Sequence, residues 1–215
     1  MDTEIAYAPR TARPLWERQS WLGTATLESV VEVNEQVLAL LREQCRVAPT
    51  PPSLLRDVAN LMLSLDAQSL RCAAGSGVLL VDAQFADARL WSEAIVGAVN
   101  DRSPCNPSPF FTVDGTVAVM RLVVTHAWHL ARSEPAAARL LLGVSAANLA
   151  VIGGCSLSRL THLAEARTEW LRPRWETRPR VWCNLLRTAG AGDSRAMERL
   201  RVRAVQLLAA DAQPG

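Results

Sequence analysis

An all-α fold, a compact arrangement of many helices, is what three features of this 215-residue chain predict. Apolar side chains recur at helical spacing through most of it. Ser, Thr or Asp precedes these runs and Gly or Pro follows them. Only one short run, near residues 77–82, has the apolar, β-branched character of an extended segment. The apolar fraction of 49% and charged fraction of 20% are ordinary globular values, which makes disorder and collagen poor fits. No run approaches the roughly 20 apolar residues that cross a bilayer.

The first two dozen residues, with Pro9, Pro14 and Gly23, read as an irregular arm carrying Trp16 and Trp21. Thr26 is placed to cap a helix in which Leu27, Val30, Val31, Val37, Leu38 and Leu41 keep helical spacing to about Arg46. Pro49, Pro51 and Pro52 break it, and Ser53 caps the next, which holds Leu54, Leu55, Val58, Leu61, Met62 and Leu65. Asp66 caps a short third helix ending near Gly75. Residues 77–82 suit a buried strand or an extended connector equally well, and no sheet is built on them. Helical spacing resumes over 85–99 through Phe85, Leu90, Trp91, Ile95 and Val99.

Residues 100–115, with Pro104, Pro107 and Pro109, form the clearest loop. The expected domains are therefore an acidic helical region, 1–110, and a basic helical domain, 116–215. The second opens with a strongly apolar helix over 117–132. Three short helices follow: 136–142, closed by Gly143; a segment capped by Ser145 and closed by Gly153-Gly154; and 157–166, capped by Ser156. Two more are expected near 178–189 and 194–210, separated by Gly190 and Gly192. No period of 20 to 50 residues marks a repeat array.

The net charge of +2 conceals a division, since residues 1–115 hold 9 Arg against 14 acids whereas residues 116–215 hold 14 Arg against 7. Every basic residue is arginine, the better fork for phosphate and carboxylate. The five cysteines, Cys45, Cys72, Cys105, Cys155 and Cys183, include no CxxC pair and read as reduced core thiols. Met1-Asp2-Thr3-Glu4 lacks the basic-then-apolar pattern of a secretory signal, so a cytoplasmic location without membrane attachment is expected.

Little in the chain reads as catalytic. His126 and His129 stand three apart on one helix with His162 distant, and no carboxylate completes a ligand motif such as HExxH, so a buried histidine is favoured over a metal site. Asp82 and Asp87 flank Phe85, where they could serve as acid and base but more often cap a helix. No GxGxxG, P-loop or GxSxG occurs. The expectation is a protein that is not an enzyme and needs no cofactor or metal.

The richest stretch lies over 167–187, where Arg167, Arg172, Arg174, Arg178, Arg180 and Arg187 alternate with Trp170, Trp175 and Trp182. Guanidinium groups pair with phosphates and indoles stack or wedge, so the mixture suits DNA; a protein interface enriched in Trp and Arg suits it equally. The two short helices around Gly153-Gly154 have the length of a helix-turn-helix, whose second helix would offer Arg159, Thr161, His162 and Arg167. That set is thin for base readout.

Read as one string, residues 122–186 resemble the FlhD family of transcriptional activators. The resemblance is carried by AWHLA at Ala127 to Ala131, by Ala138-Arg139-Leu140-Leu141-Leu142-Gly143-Val144-Ser145, by Leu149-Ala150, by Leu157-Ser158 and Leu160, and by Leu163-Ala164-Glu165. A basic, aromatic stretch follows in the same order and at similar gaps. The preceding acidic region has no counterpart in that family, and Arg159 and the Gly153-Gly154-Cys155 turn depart from its pattern.

The resemblance implies an all-α dimerising protein that binds promoter DNA with a second, zinc-bearing subunit of the FlhC kind. The expected function is then a DNA-associated transcriptional regulator, as a homodimer or hetero-oligomer. Arg159, Arg167, Arg172, Arg174, Arg178, Arg180 and Arg187 would contact DNA, with Trp170, Trp175 and Trp182 at an interface. The competing class is a non-catalytic adaptor in a secretion or conjugation assembly, favoured by the opposite charges of the halves and by seven tryptophans beside one tyrosine.

Overall fold

The computed structural model describes residues 23–97 and 108–211. Among these the chain forms ten α-helices and one two-stranded ribbon, an all-α fold. The first half runs α1 (Thr24–Val47), α2 (Ser53–Ser64), α3 (Ala67–Ala74), β1 (Val81–Asp82) and α4 (Ala88–Gly97). The second runs α5 (Val113–Ser133), α6 (Pro135–Leu142), α7 (Ala146–Gly153), α8 (Leu157–Ala166), β2 (Arg172–Pro173), α9 (Pro179–Ala191) and α10 (Ser194–Asp211). Trp16, Trp21 and Cys105 lie outside the described residues. No single described helix is long and apolar enough to cross a membrane.

Three expected caps form. The Asp66 carboxylate accepts the Ser69 N–H at 2.7 Å, the Ser145 hydroxyl that of Asn148 at 3.1 Å, and the Ser156 hydroxyl that of Arg159 at 3.3 Å. Two expected caps do not. Helix α1 begins at Thr24, ahead of Thr26, whose hydroxyl donates instead to Glu134 at 2.5 Å; α2 begins on Ser53 itself, behind Pro52. With Pro52 at the N-cap position, no side chain caps the first amides of α2.

The 77–82 run divides between its two readings. Val78 to Leu80 is a fully buried connector and Val81–Asp82 a strand, paired antiparallel with β2 in the register Val81 to Pro173 and Asp82 to Arg172. The connector lies on α1 through buried Asn34. Its amide donates to the carbonyls of Ala74 and Val78, each at 2.9 Å, and its oxygen accepts the Leu80 N–H at 2.8 Å. Both the nitrogen and the oxygen of the Asn34 amide thus have partners, which is the condition for burying it.

The two halves repeat one plan. Helix α1 corresponds to α5, with Val30, Leu38 and Leu41 buried where Val119, Ala127 and Leu130 are. Helix α2 corresponds to α7, where Met62 matches Ile152, and α3 to α8, where Asp66 and Ser156 are the matching caps. Buried Leu80 and Leu171 each lead into a strand, and the only left-handed non-glycine residues among those described, Gln84 (φ 59°) and Trp175 (φ 53°), follow the two strands at the same distance. The Trp91 indole then donates to the Ala83 carbonyl at 3.1 Å, and the Trp182 indole to that of Arg174 at 2.6 Å, the same bond in both halves.

Packing follows a pseudo-two-fold relation. Within the halves, α1 packs on α2 and α3 as α5 packs on α7 and α8. Across them, α4 packs on α7 and α8, and α9 packs reciprocally on α2 and α3. Helices α1 and α5 meet each other, and the ribbon pairs one strand from each half. One continuous core results, running from Val30 to Met197. The charge division near residues 110–116 falls between α4 and α5 and is not a division in packing. Helices α6 and α10 stand outside the repeat.

Candidate nucleic-acid interface

The Arg/Trp stretch leaves α8 through a 3-10 turn (Thr168–Trp170), forms β2, turns at residues 174–177 and enters α9 behind Pro179. Its tryptophans mostly face inward. Trp182 is 1% exposed, and Trp170 is 7% exposed with its ring 5.7 Å from that of Trp91. Both expected interface residues therefore belong to the core, where indoles bury more apolar area than any other side chain. Trp175 is half-buried, its indole donating to Asp211 at 3.0 Å.

Arg174 also departs from the expected phosphate contact. It is 9% exposed, and its guanidinium donates to the Leu79 carbonyl at 2.8 Å and to that of Leu142, with Asp82 3.5 Å away. Burial pulls its pKa down against the pull of Asp82 and Asp211. The side chain ties the ribbon to the end of α6, and its guanidinium is committed to carbonyls of the protein rather than presented to a phosphate. Asp82 in turn accepts the N–H groups of Gln84 and Phe85 at 3.1 and 3.4 Å, and Asp87 accepts that of Leu90 at 2.9 Å. Both aspartates serve as local caps.

The remaining expected arginines fall into two groups. Arg172 pairs with Glu176 at 2.9 Å and Arg178 with Asp211 at 3.1 Å, so carboxylates already neutralise them; Arg167 lies half-buried at the end of α8. Arg159 on α8 and Arg180 and Arg187 on α9 are exposed and have no ionic partner among the described residues.

Helix α10 adds residues that the sequence reading missed. Arg195, Arg199 and Arg203 recur every fourth residue, exposed and likewise unpaired. Arg201, beside them, donates to the Gly75 carbonyl at 2.5 Å and fastens α10 to the end of α3. Over residues 180–203 six arginines face only Asp193 and Glu198. Arg180 and Arg203 flank a groove of about 170 Å³ between α9 and α10, floored by Val181, Leu185, Leu200 and Leu207. The four-residue arginine spacing in α10 was a readable signal.

The α10 end of this surface is positioned by a glycine. Gly143 ends α6 with φ +65°, and a Cβ built there would lie 2.8 Å from Leu208 Cδ1. Only glycine allows both that backbone and that approach. The expected α7–α8 helix pair forms as well, leaving Ser158, Arg159, Thr161 and His162 exposed.

The histidines sit elsewhere. His126 is 8% exposed, and its Nε2 is buried without a partner; burial and neighbouring His129 lower its pKa to about 4. It lines an open groove of about 660 Å³ between α1 and α5, beside Glu32, Gln36 and Thr125. Among the described residues no group of three or more His, Cys, Asp or Glu is placed to hold a metal ion. Cys45, Cys72, Cys155 and Cys183 are free thiols.

No protein-family model matches this chain, and neither the curated proteins nor the solved structures contain a significant match to it.

Proposed function

We propose that the protein is a non-catalytic, DNA-associated regulator that meets backbone phosphate with the exposed arginines of α9 and α10. One observation carries the reading: Arg180, Arg187, Arg195, Arg199 and Arg203 are exposed, and no carboxylate among the described residues neutralises them. Phosphate contact of this kind positions a protein on a duplex without reading its sequence. Exposed Arg159, Thr161 and His162 on α8 are the groups left to touch base edges. The resemblance to the FlhD family adds transcriptional activation and a zinc-bearing companion subunit to this reading.

Each phosphate neutralised releases counterions, so duplex affinity falls with salt along a slope of about −0.9 per contact. Replacing Arg180, Arg199 and Arg203 together by Gln should flatten that slope by between about 2 and 3. Duplex binding that ignores both salt and these substitutions overturns the proposal.

The second reading, an adaptor that docks on another protein, is favoured by the apolar floor of the α9–α10 groove and by Val202, 56% exposed between Arg199 and Arg203. Capture of an acidic protein partner that persists in Val202→Gln would count against that version, and loss of capture would support it.

A further inference from the structure

The repeat of helices, strand, left-handed turn and indole bond is too detailed to be a packing coincidence. Separate elements match in order, in the role of the capping residue at Asp66 and Ser156, and in the bonding of Trp91 and Trp182. The ribbon is the most telling part. Val81 occupies the place of Arg172 and Asp82 that of Pro173, so the observed pairing of Val81 with Pro173 and Asp82 with Arg172 is what a two-fold axis between identical strands would create. Exchange of the fourth helices, α4 onto α7 and α8 and α9 onto α2 and α3, is likewise reciprocal, as in an isologous dimer.

We propose that this chain is an internally duplicated dimer carried on one polypeptide, which acts as a monomer and engages its polyanionic partner through the second copy alone. The clause about the partner rests on the nucleic-acid reading above; the clause about duplication does not. A single copy of the unit would leave α2, α3 and one strand edge uncovered, and a second copy would be needed to cover them. Here the other half of the same chain supplies that cover. The acidic first half, which lies outside the FlhD-like string, is then the same unit with a different surface.

The surfaces have diverged where they correspond. Arg89 on α4 stands in the place of Arg180 on α9. Arg89 is bonded to Glu93 at 2.7 Å, whereas Asn184 replaces that carboxylate in the second copy and leaves Arg180 unpaired. At the next exposed position Val96, 79% exposed, stands where Arg187 does. Helix α10, with its own arginines, packs on α9 and α6, and Arg201 ties it to the end of α3. A polyanion therefore finds free guanidinium groups clustered on one side, five over α9 and α10, against Arg56 as the one exposed unpaired arginine among the described residues of the first copy.

Two measurements on the full chain test this. Light scattering should return one species near 23.4 kDa across the accessible concentration range; a stable dimer would overturn the claim that one chain completes the two-fold. The salt dependence of duplex binding should then be compared for R180Q and R89Q. Removing Arg180 should lower the slope by about 1 and removing Arg89 should leave it unchanged. Equal effects would overturn one-sided engagement. Absence of duplex binding in the unaltered protein would defeat the nucleic-acid reading and the one-sided clause with it, while the mass measurement would still decide the duplication.

Discussion

The segments from β1 to α4 and from β2 to α9 have the same backbone and almost opposite chemistry. In the first, Asp82 and Asp87 cap the turn and Arg89 is held by Glu93; in the second, Arg172, Arg174, Arg178 and Arg180 take neighbouring places. What both retain is a buried leucine before the strand, a left-handed residue after it, and a tryptophan bonded back to the turn. The fold is thus carried by a few buried positions and one turn geometry. Surface charge differs between the two segments: Arg178 stands in the place of Asp87, Pro173 in that of Asp82 and Asn184 in that of Glu93.

The comparison is strained most by removing the shared indole. Trp91→Ala and Trp182→Ala should each cost about 3–5 kcal/mol in urea unfolding, since both side chains are fully buried and each also loses a bond to a buried carbonyl. A small loss in either would break the equivalence of the two sites. Within the second copy, Arg174→Ala should cost about 3 kcal/mol by leaving the Leu79 and Leu142 carbonyls unsatisfied, and neighbouring exposed Arg172→Ala no more than about 0.5 kcal/mol. Similar values for the two would mean that Arg174 is not a structural clamp.

The α1–α5 contact differs between the copies at His126, which has buried Val37 as its counterpart. Its folded pKa, about 4, lies below the 6.5 of an unhindered imidazole, so the unfolded chain binds the extra proton. Stability should be whole above pH 6.5 and decline toward pH 4, by up to about 3 kcal/mol; the groups facing it, Glu32 on α1 and His129 on α5, bear on the steepness. His126→Leu should remove that decline, as urea midpoints at several pH values would reveal. The smallest effect concerns the matched caps. Ser156→Ala should cost about 1 kcal/mol, and Asp66→Ala should move stability the same way. The Ser69 N–H holds the Asp66 carboxyl below its usual pKa, so the Asp66 contribution is present at neutral pH and is lost as the solution turns strongly acidic.

The helices were legible in the sequence because their determinants are local. Asp66, Ser145 and Ser156 act on backbone three residues ahead, and apolar spacing of 3.6 needs no knowledge of distant partners. The ribbon was not, because the partner of Val81 is Pro173, which nothing nearby announces. Nor was the duplication: few of the matched residues are identical, among them Leu70 and Leu160, Ala74 and Ala164, Leu80 and Leu171, and Trp91 and Trp182. Burial of Trp170, Trp182 and Arg174 was hidden by their amphipathic nature, since an indole or guanidinium suits the interior once a carbonyl receives its N–H. Arg180 and Arg187 were found by composition, whereas the α10 stripe required attention to the period of the charges.

Amide hydrogen exchange across the full chain under native conditions tests the mutual dependence of the two copies most directly. Slowly exchanging amides in the middle of α2 and of the corresponding α7 should share one opening free energy, equal to that of global unfolding, because each helix is covered by the other copy's last helix. Full protection of α7 persisting while α2 opens, or the reverse, would show that one copy stands alone and would contradict the account.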